Sequence, residues 1–566
     1  MRTVTTNRRR IAWRRLLAGA ISGLLTAAVA LGVAQLVAGI TGPLGSPVDA
    51  IGAVAINHTP IPVKEFAIAH FGSRDKDALV TGILVVLLAA AAVAGTLALR
   101  RLRYGLAVLA VVGAAGVAAA VSQPATTAVD VVPTLAGMTA ATIALIVLTR
   151  AARAALTPVS PSVTNTEPTP GERAASLVPA GAAPPAAADA PGALGAPASP
   201  AAPRPGPGPA PGASRRRFLI TGAGVAAVAA AGGGAGQLLL GRFSVAGSRS
   251  QVRLPAPAVA ARAVPAGAQL RVPGISPFIT PSGQFYRVDT DLVVPQVAPD
   301  SWTLRIDGMV SRPVEITFDQ LLRMPLTEAD ITLVCVSNVV GGPYAGNARW
   351  LGVPLAGLLR RAGLRAGADQ VLSTGTDGMT ISTPLQAVLD GRTALVAVGM
   401  NGQPLPVAHG FPARMLVPGF YGYVSATKWL TRLTVTTFAS QRAYWTQRGY
   451  AAQAPIKTES RIDVPKPLAQ VKAGRTAVAG VAWAPHRGIS AVEVSVDSGP
   501  WHRATLAAAD GIDTWRQWLW AWDAEPGLHS LRVRATDGAG ATQTGQEVSP
   551  VPDGASGWDS VVVTVT

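Results

Sequence analysis

The 566-residue chain is 49% hydrophobic and only 14% charged, which excludes an ordinary soluble protein of this length. The formal charge of +17 is typical of nucleic-acid binding, but residues 1–243 hold 20 Lys and Arg against 8 Asp and Glu, whereas residues 244–566 hold 28 against 23. The positive excess therefore belongs to the apolar part of the chain, and we expect a membrane as partner and no nucleic acid.

Four apolar runs in residues 1–156 predict transmembrane helices, at roughly 16–40, 78–99, 104–121 and 131–149, of which the third is the shortest. A fifth run, 218–240, lies in residues 214–243. If the N-terminus is cytoplasmic, 16 of the 20 basic residues before position 244 lie on the cytoplasmic side of the membrane. The positive-inside rule then predicts a multi-pass protein whose chain after the fifth helix is extracytoplasmic.

Residues 157–213 are dominated by Pro and Ala, which predicts a disordered, semi-extended linker. The linker runs into Ser214-Arg-Arg-Arg-Phe-Leu219, which resembles a twin-arginine export signal, although arginines that simply flank a membrane helix explain the pattern equally well. No small-residue cleavage site follows at once, so we expect the fifth helix to stay as an anchor.

Residues 275–440 alternate short β-rich runs, such as 331–336 and 430–436, with Gly/Pro turns and a helical patch at 355–362. This pattern predicts a mixed α+β domain. Residues 466–566 carry regularly spaced β-branched runs, which predict a β-sandwich. Trp518, Trp520 and Trp522 alternate along one of these runs, and a sandwich core or a domain interface explains them better than a binding site.

Cys335 is the one cysteine of the chain, which excludes an intramolecular disulfide, a Cys-only zinc site, an iron–sulfur cluster held by several cysteines and a c-type haem attachment motif. It lies in the strand-like run Ile331-Thr-Leu-Val-Cys-Val-Ser-Asn338, shortly before Gly341-Gly342. A thiolate held there is a soft, strongly donating ligand for a metal. The alternative from composition alone is a buried structural cysteine.

Four ordered segments resemble those of the sulfite oxidase family, which includes nitrate reductases and methionine-sulfoxide reductases. They are Cys335-Val-Ser-Asn338, Gly346-Asn347-Ala-Arg349-Trp350, His409-Gly-Phe-Pro-Ala-Arg414 and Lys428-Trp429-Leu430. The resemblance extends from about residue 279 to the C-terminus. It implies an α+β sulfite-oxidase-type molybdopterin domain and a C-terminal immunoglobulin-like β-sandwich. Together with the N-terminal transmembrane α-helices predicted from the apolar runs, these make a multi-domain protein.

The resemblance further implies that Cys335 is the protein ligand of molybdenum in a molybdopterin cofactor. The residues expected to bind this cofactor are Tyr286, Arg287, Asp289, Cys335, Asn338, Asp377, His409, Arg414 and Lys428. Such a set suits the group, because the pterin phosphate is a multiply charged anion and the pterin ring offers several donors and acceptors. Any one of the Arg and Lys residues is equally well explained as a surface charge.

Two departures from the family's oxidases put sulfite itself in doubt. Val339-Val-Gly-Gly342 follows the metal cysteine where those oxidases carry basic residues, and Asp289-Thr290 stands in place of an Asn-His pair. For a catalytic phenol on the substrate side, Tyr450 is the closest match and Tyr421 and Tyr423 are weaker candidates. Each is equally well explained as a packing aromatic.

These observations predict an oxygen-atom-transfer oxidoreductase, sulfite oxidase-like, acting outside the cytoplasmic membrane on a small oxyanion or sulfur compound. One alternative is a reductase of sulfoxides or nitrate with the same cofactor. The other is a catalytically decayed, membrane-tethered binding protein, against which the retained Cys335, Arg414 and Lys428 argue.

The electron partner is expected to be a separate cytochrome or quinone system. All six histidines lie outside the predicted spans, which disfavours a bis-histidine haem among the membrane helices. A homodimer is expected from the resemblance alone. The segment Tyr444 to Asp463 is expected to pack against the catalytic domain, with Lys457 and Arg461 either facing an anion or solvated.

Overall fold

The computed structural model describes residues 2–42, 45–71, 74–123, 127–157 and 213–566. The predicted disordered linker, 157–213, lies almost entirely outside the described residues.

Before the globular part, the described chain is helical. The helices are α1 (Arg2–Thr41), α2 (Pro47–His58), α3 (Ile61–Phe71), α4 (Asp75–Arg100), α5 (Leu102–Val121), α6 (Val132–Leu156), α7 (Ala213–Leu240) and α8 (Ala246–Gln251). Within the described ranges, α1, α4, α5, α6 and α7 contain candidate membrane spans by length and composition. The prediction of five apolar helices is thus confirmed, whereas their orientation across a membrane stays a prediction.

The chain divides into two compact units, and the boundary between them falls within the long helices. The first unit comprises Met1–Ala30, Leu88–Ala110 and Thr139–Ala230. In it, small residues let backbones approach closely, as at Gly19, Gly23 and Gly95, where α1 meets α4. The Arg153 guanidinium of α6 donates to the Ala98 carbonyl of α4 at 2.6 Å.

The second unit comprises Leu31–Leu87, Val111–Met138 and Ala231–Thr566, and it holds the globular part. Gly232 and Gly236 of α7 lie against the backbone of α1 near Gly32 and Gln35. Residues 252–298 then run along the globular part with little regular structure, and Val259 makes a single parallel bridge with Thr327.

The α+β part is built on two mixed or antiparallel sheets. Its strands are β1 (Thr303–Gly308), β2 (Val314–Thr317), β3 (Thr327–Val334), β4 (Ala345–Pro354), β5 (Gln370–Gly375), β6 (Thr380–Pro384), β7 (Leu395–Met400), β8 (Gln403–Pro404), β9 (Arg414–Leu416) and β10 (Leu430–Thr436). One sheet has the order β2-β1-β10-β5-β6, and the other has β3-β4-β7-β8 with β9 on β7. Strands β1 and β10 pair in parallel, with Arg305 opposite Arg432.

Short helices cover these sheets: α9 (Phe318–Leu322), α10 (Leu355–Ala362), α11 (Leu385–Leu389) and α12 (Gly422–Ser425). The Thr317 side chain and Gln320 form a capping box that begins α9. Helix α10 buries Leu355, Leu358 and Leu359 at helical spacing against the core of the first sheet. The predicted helix 355–362 and strand 430–436 are therefore confirmed.

Two facing sheets form the C-terminal sandwich. Its strands are β11 (Glu459–Val464), β12 (Gln470–Val471), β13 (Gly474–Trp483), β14 (Ile489–Val496), β15 (Trp501–Arg503), β16 (Thr505–Leu506), β17 (Arg516–Ala524), β18 (Gly527–Asp537) and β19 (Asp559–Val565). The sheet orders are β11-β13-β17-β16 and β12-β19-β18-β14-β15. Both sheets contribute side chains to one apolar core, in which Trp518 and Trp522 are buried and Trp520 packs at the edge. The expected role of the tryptophan stripe as sandwich core is what the structure shows.

The predicted start of the sandwich at residue 466 was wrong. Strand β11 begins at Glu459 and pairs antiparallel with β13, so the sandwich starts before that position. Strand β11 lacks the usual alternation of apolar and polar side chains, because its buried residues include the polar Glu459, Ser460, Arg461 and Asp463. A pattern search that expects apolar residues inward therefore passes over this strand.

Candidate functional site

Cys335 follows directly after β3, at the end of the edge strand of the second sheet. Its amide donates to the Tyr344 carbonyl at 2.9 Å, and its carbonyl accepts from the Asn338 amide at 3.0 Å. The chain turns back at Gly341, whose φ of +72° suits glycine. The thiol is partly exposed, and burial raises its pKa, while hydrogen bonds from Ser337 and the charge of Lys428 oppose that rise. A thiolate here therefore needs a metal or added positive charge.

Two tyrosines stand beside Cys335. Burial, together with Cys335, raises the pKa of Tyr286, and Arg414 opposes this effect. The same two causes raise the pKa of Tyr344, whose ring centre lies 6.3 Å from that of Tyr286. The Tyr344 amide donates to Asn338 Oδ1 at 2.7 Å, which fixes the turn after the cysteine. Both phenols stay protonated at neutral pH and can donate hydrogen bonds next to the thiol.

His409 and Arg414 form the next part of the site. Arg414 is 5% exposed, donates from Nη1 to the His409 carbonyl at 3.1 Å, and lies 5.1 Å from the Trp350 ring centre. Burial lowers the pKa of Arg414 to about 10, so it remains a cation at neutral pH. Burial, Arg414 and Lys428 lower the pKa of His409 to about 4, so its imidazole is neutral.

A carboxylate bound by several cations lies beside this group. Asp289 accepts from Lys428 Nζ at 2.7 Å and from Arg287 Nε at 2.8 Å, and Lys76 also contacts it. Burial alone would raise the pKa of Asp289, but Lys428, Arg287 and Lys76 together hold it below its usual range. Burial lowers the pKa of Lys428 to about 8 even though Asp289 opposes the change. This cluster carries more positive than negative charge.

Asp291 and Asp377 meet near the same lysine. Burial and the neighbouring Asp377 raise the pKa of Asp291 to about 8, so this carboxyl is protonated at neutral pH. Asp377 Oδ1 accepts from the Met379 amide at 3.1 Å, which holds it in the turn after β5. The pair offers both a donor and acceptors to a bound heterocycle.

Comparison with known proteins relates this part of the chain to a known domain family. Residues 291–445 match the oxidoreductase molybdopterin-binding domain family. Over 287 residues the chain is 31% identical to sulfite oxidase of Gallus gallus, and over 288 residues it is 30% identical to mitochondrial sulfite oxidase of Rattus norvegicus. The chain contains an oxidoreductase molybdopterin-binding domain, and its sequence is similar to those of sulfite oxidases.

These likenesses cover only parts of the proteins concerned. The two sulfite oxidases match over 43% of this chain, which spans 62% of the chicken protein and 52% of the rat protein. The NADH nitrate reductase of Solanum lycopersicum is 36% identical over 194 residues, which are 30% of this chain and 21% of that protein. Among solved structures, the sulfane dehydrogenase SoxCD of Paracoccus pantotrophus covers 51% of this chain and 84% of that chain at 24% identity and a TM-score of 0.45, too distant a likeness to support more.

The side chains of the molybdopterin-binding domain fit its molybdenum–molybdopterin cofactor. Cys335 offers one soft ligand, and Arg287, Arg414 and Lys428 offer cations for a phosphate. Within the described residues, Arg414 Nε and Asp291 Oδ2 are buried without a hydrogen-bond partner. Such buried polar atoms are costly unless a ligand satisfies them. Tyr286, Asn338 and Lys428 act directly on Cys335, and the other predicted residues are connected to these through Asp289, Asp291 and Arg414. Their roles in binding the cofactor stay predictions.

The three tyrosines predicted as catalytic phenols have other contacts. The Tyr423 hydroxyl donates to the Ala451 carbonyl at 2.9 Å, and the Tyr421 hydroxyl lies at Lys457 and Gly554. The Tyr450 ring packs 5.4 Å from Tyr423. All three belong to one apolar cluster with Val336, next to the cysteine. Their catalytic role stays a prediction, and the phenols that interact with Cys335 electrostatically are Tyr286 and Tyr344.

Arg461 is buried and pairs within the protein, whereas Lys457 is partly exposed and pairs with the exposed Asp553, so a role for either residue at an anion site stays a prediction. Arg461 is 9% exposed and donates to Asp463 at 2.9 Å and to the Gly342 carbonyl at 2.8 Å. Lys457 donates to Asp553 at 2.9 Å and to the Gly554 carbonyl. The expected packing of this segment against the α+β part is present in these contacts.

Sequence reasoning missed Asp291, Tyr344 and Lys76. Asp291 stands two residues after Asp289 and could have been included as part of the same segment. Tyr344 stands just before Gly346-Asn347, and no sequence motif includes it. Lys76 lies 213 residues before Asp289, and no pattern in the sequence links the two.

Proposed function

We propose that the protein is a molybdenum–molybdopterin oxygen-atom-transfer oxidoreductase, sulfite oxidase-like, that acts on a small oxyanion or sulfur compound. The observation that carries the proposal is the convergence of Cys335 with Tyr286, Arg414, Lys428 and Asp289 within a domain of this family. When bound, the cofactor supplies two-electron redox chemistry and oxygen-atom exchange with water.

The residues of the chain would supply ligation, orientation and charge. Cys335 holds the metal, while Arg414 and Lys428 attract and orient an anionic substrate or the pterin phosphate. Tyr286 keeps its proton at neutral pH, and its hydroxyl would be a hydrogen-bond donor for an oxygen bound near Cys335. Oxidation of sulfite to sulfate takes one oxygen from water and releases two protons and two electrons, so an acceptor must take the electrons.

The direct test is the molybdenum content of the detergent-solubilised full chain, made in a cofactor-competent host. We expect about one metal per chain in the wild type, as a single thiolate site implies, and close to none in Cys335→Ser. The matched control adds Ser490→Cys on the exposed face of the sandwich to Cys335→Ser, which restores a thiol at the wrong place. Equal molybdenum content in the wild type and in both variants would refute the proposal.

A reductase of nitrate or sulfoxides is the second candidate. The identity to the tomato nitrate reductase, 36%, exceeds that to the two sulfite oxidases, and Val339-Val-Gly-Gly342 lacks the basic residues of the oxidases. Assays in both directions separate the two: sulfite with ferricyanide as acceptor, and nitrate or methionine sulfoxide with a reduced viologen as donor. Retention of the buried cations argues against the catalytically decayed binding protein.

Location, partner and assembly are parts of the same proposal. The candidate spans and the flanking arginines support a multi-pass protein of the cytoplasmic membrane with the catalytic domain outside. His58 and His70 lie in α2 and α3, outside the candidate spans, so we propose a separate cytochrome or quinone system as electron partner. A stoichiometric b-type haem absorbance in the purified chain would count against a separate electron partner.

We also propose that the sandwich is immunoglobulin-like and supports a homodimer. Sedimentation of the chain in detergent can measure its oligomeric state.

A further inference from the structure

Residues 47–71 and 74–77, which follow the first candidate span and include the first turn of the second, lie against the cofactor site. We propose that this segment, α2–α3 with the first turn of α4, closes the site, and that its Lys76 is a positioning residue that holds Asp289 and adds positive charge for an oxyanion. The inference rests on the proposed function, because the oxyanion would be the pterin phosphate or the substrate. Residues 72–73 of the segment are outside the described residues.

The first support is the contact of Lys76 with the charged cluster. Its ammonium donates to the Asp289 carboxylate and to the Asp291 carbonyl. The Lys76 side chain is 24% exposed and that of Asp289 only 3%, so the lysine covers the carboxylate from the solvent side. Asp289 then meets cations from three parts of the chain, Lys76, Arg287 and Lys428. With Asp291 protonated, Asp289 and the neighbouring Asp377 offset at most two of these three positive charges, and the remaining charge favours an anion.

The second support comes from contacts further along the same segment. The Tyr444 hydroxyl donates to Asn57 Oδ1 of α2 at 2.5 Å. Lys64 Nζ of α3 lies 5.6 Å from the Trp445 ring centre, within range of a cation–π contact. The Leu292 side chain packs directly on Gly52, where a larger residue would collide with it. Leu292, Tyr444 and Trp445 all belong to the chain that surrounds the site, so the segment is held at several points.

Lys76→Met and Lys76→Arg in the full chain test the role of the charge, with Lys472→Met on the exposed sandwich surface as control. Sulfite, nitrate and methionine sulfoxide serve as probes, and molybdenum and pterin per chain are measured on the same samples. If the oxyanion is the substrate, Lys76→Met raises KM about tenfold at unchanged cofactor content and little changed kcat. If it is the pterin phosphate, cofactor content falls severalfold instead. In both cases Lys76→Arg recovers most of the loss, and unchanged KM and cofactor content would overturn the proposal.

Closure itself has a test that needs neither cofactor nor activity. Asn57→Cys and Tyr444→Cys are combined in the Cys335→Ser background, which holds no other thiol, and a short bismaleimide is added. We expect a linked peptide by mass spectrometry for this pair and none for Asn57→Cys with Ser490→Cys. Absence of the link would overturn the closed site, whereas absence of molybdenum from the wild type with the link present would reject only the proposed function.

Discussion

Glu459 opens the sandwich with a carboxyl group that the fold keeps out of water. Its side chain begins β11 and the residue is 3% exposed. Burial raises its pKa from 4.5 to about 8, and nearby Asn338, Lys457 and Trp483 offset burial only in part. The carboxyl is thus protonated in the folded protein at neutral pH, and Glu459→Gln replaces it by a neutral group of the same shape.

The size of the effect follows from proton linkage. Because the folded pKa is raised, the contribution of Glu459 to stability is complete below the unfolded pKa of 4.5 and is lost as pH rises through about 8. At about 1.4 kcal/mol per pKa unit, the loss is under about 1 kcal/mol at pH 5 and about 3 kcal/mol at pH 7. Relative to the wild type, Glu459→Gln should therefore gain stability as pH rises.

Urea unfolding of the detergent-solubilised chain, followed by tryptophan fluorescence at pH 5 and pH 7, measures this difference. Glu547→Gln, at an exposed carboxyl of the same domain, is the matched control and should change the transition little at either pH. The reasoning fails if Glu459→Gln shifts the transition equally at both pH values, or if it destabilises the protein at pH 7.

Three further substitutions test the packing and the charges. Trp518→Ala removes a fully buried side chain, and urea unfolding should show a loss of about 3–5 kcal/mol; a loss below 1 would contradict the core assignment. Lys428→Met should lower molybdenum per chain, measured by elemental analysis, because it removes a cation that contacts Asp289; Lys428→Arg should retain more metal. Arg349→Met leaves Asp330 buried without its partner at 2.6 Å, and we expect a loss of about 3 kcal/mol in thermal unfolding, absent in Arg475→Met.

Most of the fold could be predicted from local sequence patterns. The helix 355–362 and the strand 430–436 coincide with their predicted bounds because leucine spacing and β-branched residues act within a few positions. The strand at Glu459 was missed because its inward side chains are polar and depend on partners elsewhere, such as Gln543 for the Ser460 hydroxyl. Helices α2 and α3 received no prediction, since they lie between apolar runs and have no clear periodicity.

The candidate site was predictable only where residues stand in short ordered segments. His409 to Arg414 and Lys428 were found in this way, as was Cys335. The cation that reaches Asp289 from Lys76 depends on a contact between parts of the chain 213 residues apart. The choice of phenol depends on how strands and turns place a ring, which short segments do not determine: Tyr421, Tyr423 and Tyr450 share an apolar cluster with Val336, and their catalytic role stays a prediction.

The parallel pairing of β1 with β10 bears on how the domain is made. Arg305 lies opposite Arg432, so the sheet joins segments 127 positions apart in the chain. During synthesis, β1 has its partner β2 on one side only and exposes a free edge until the ribosome has released β10. Pairing between such distant segments is slow, so completion of this sheet should limit how fast newly made chains mature.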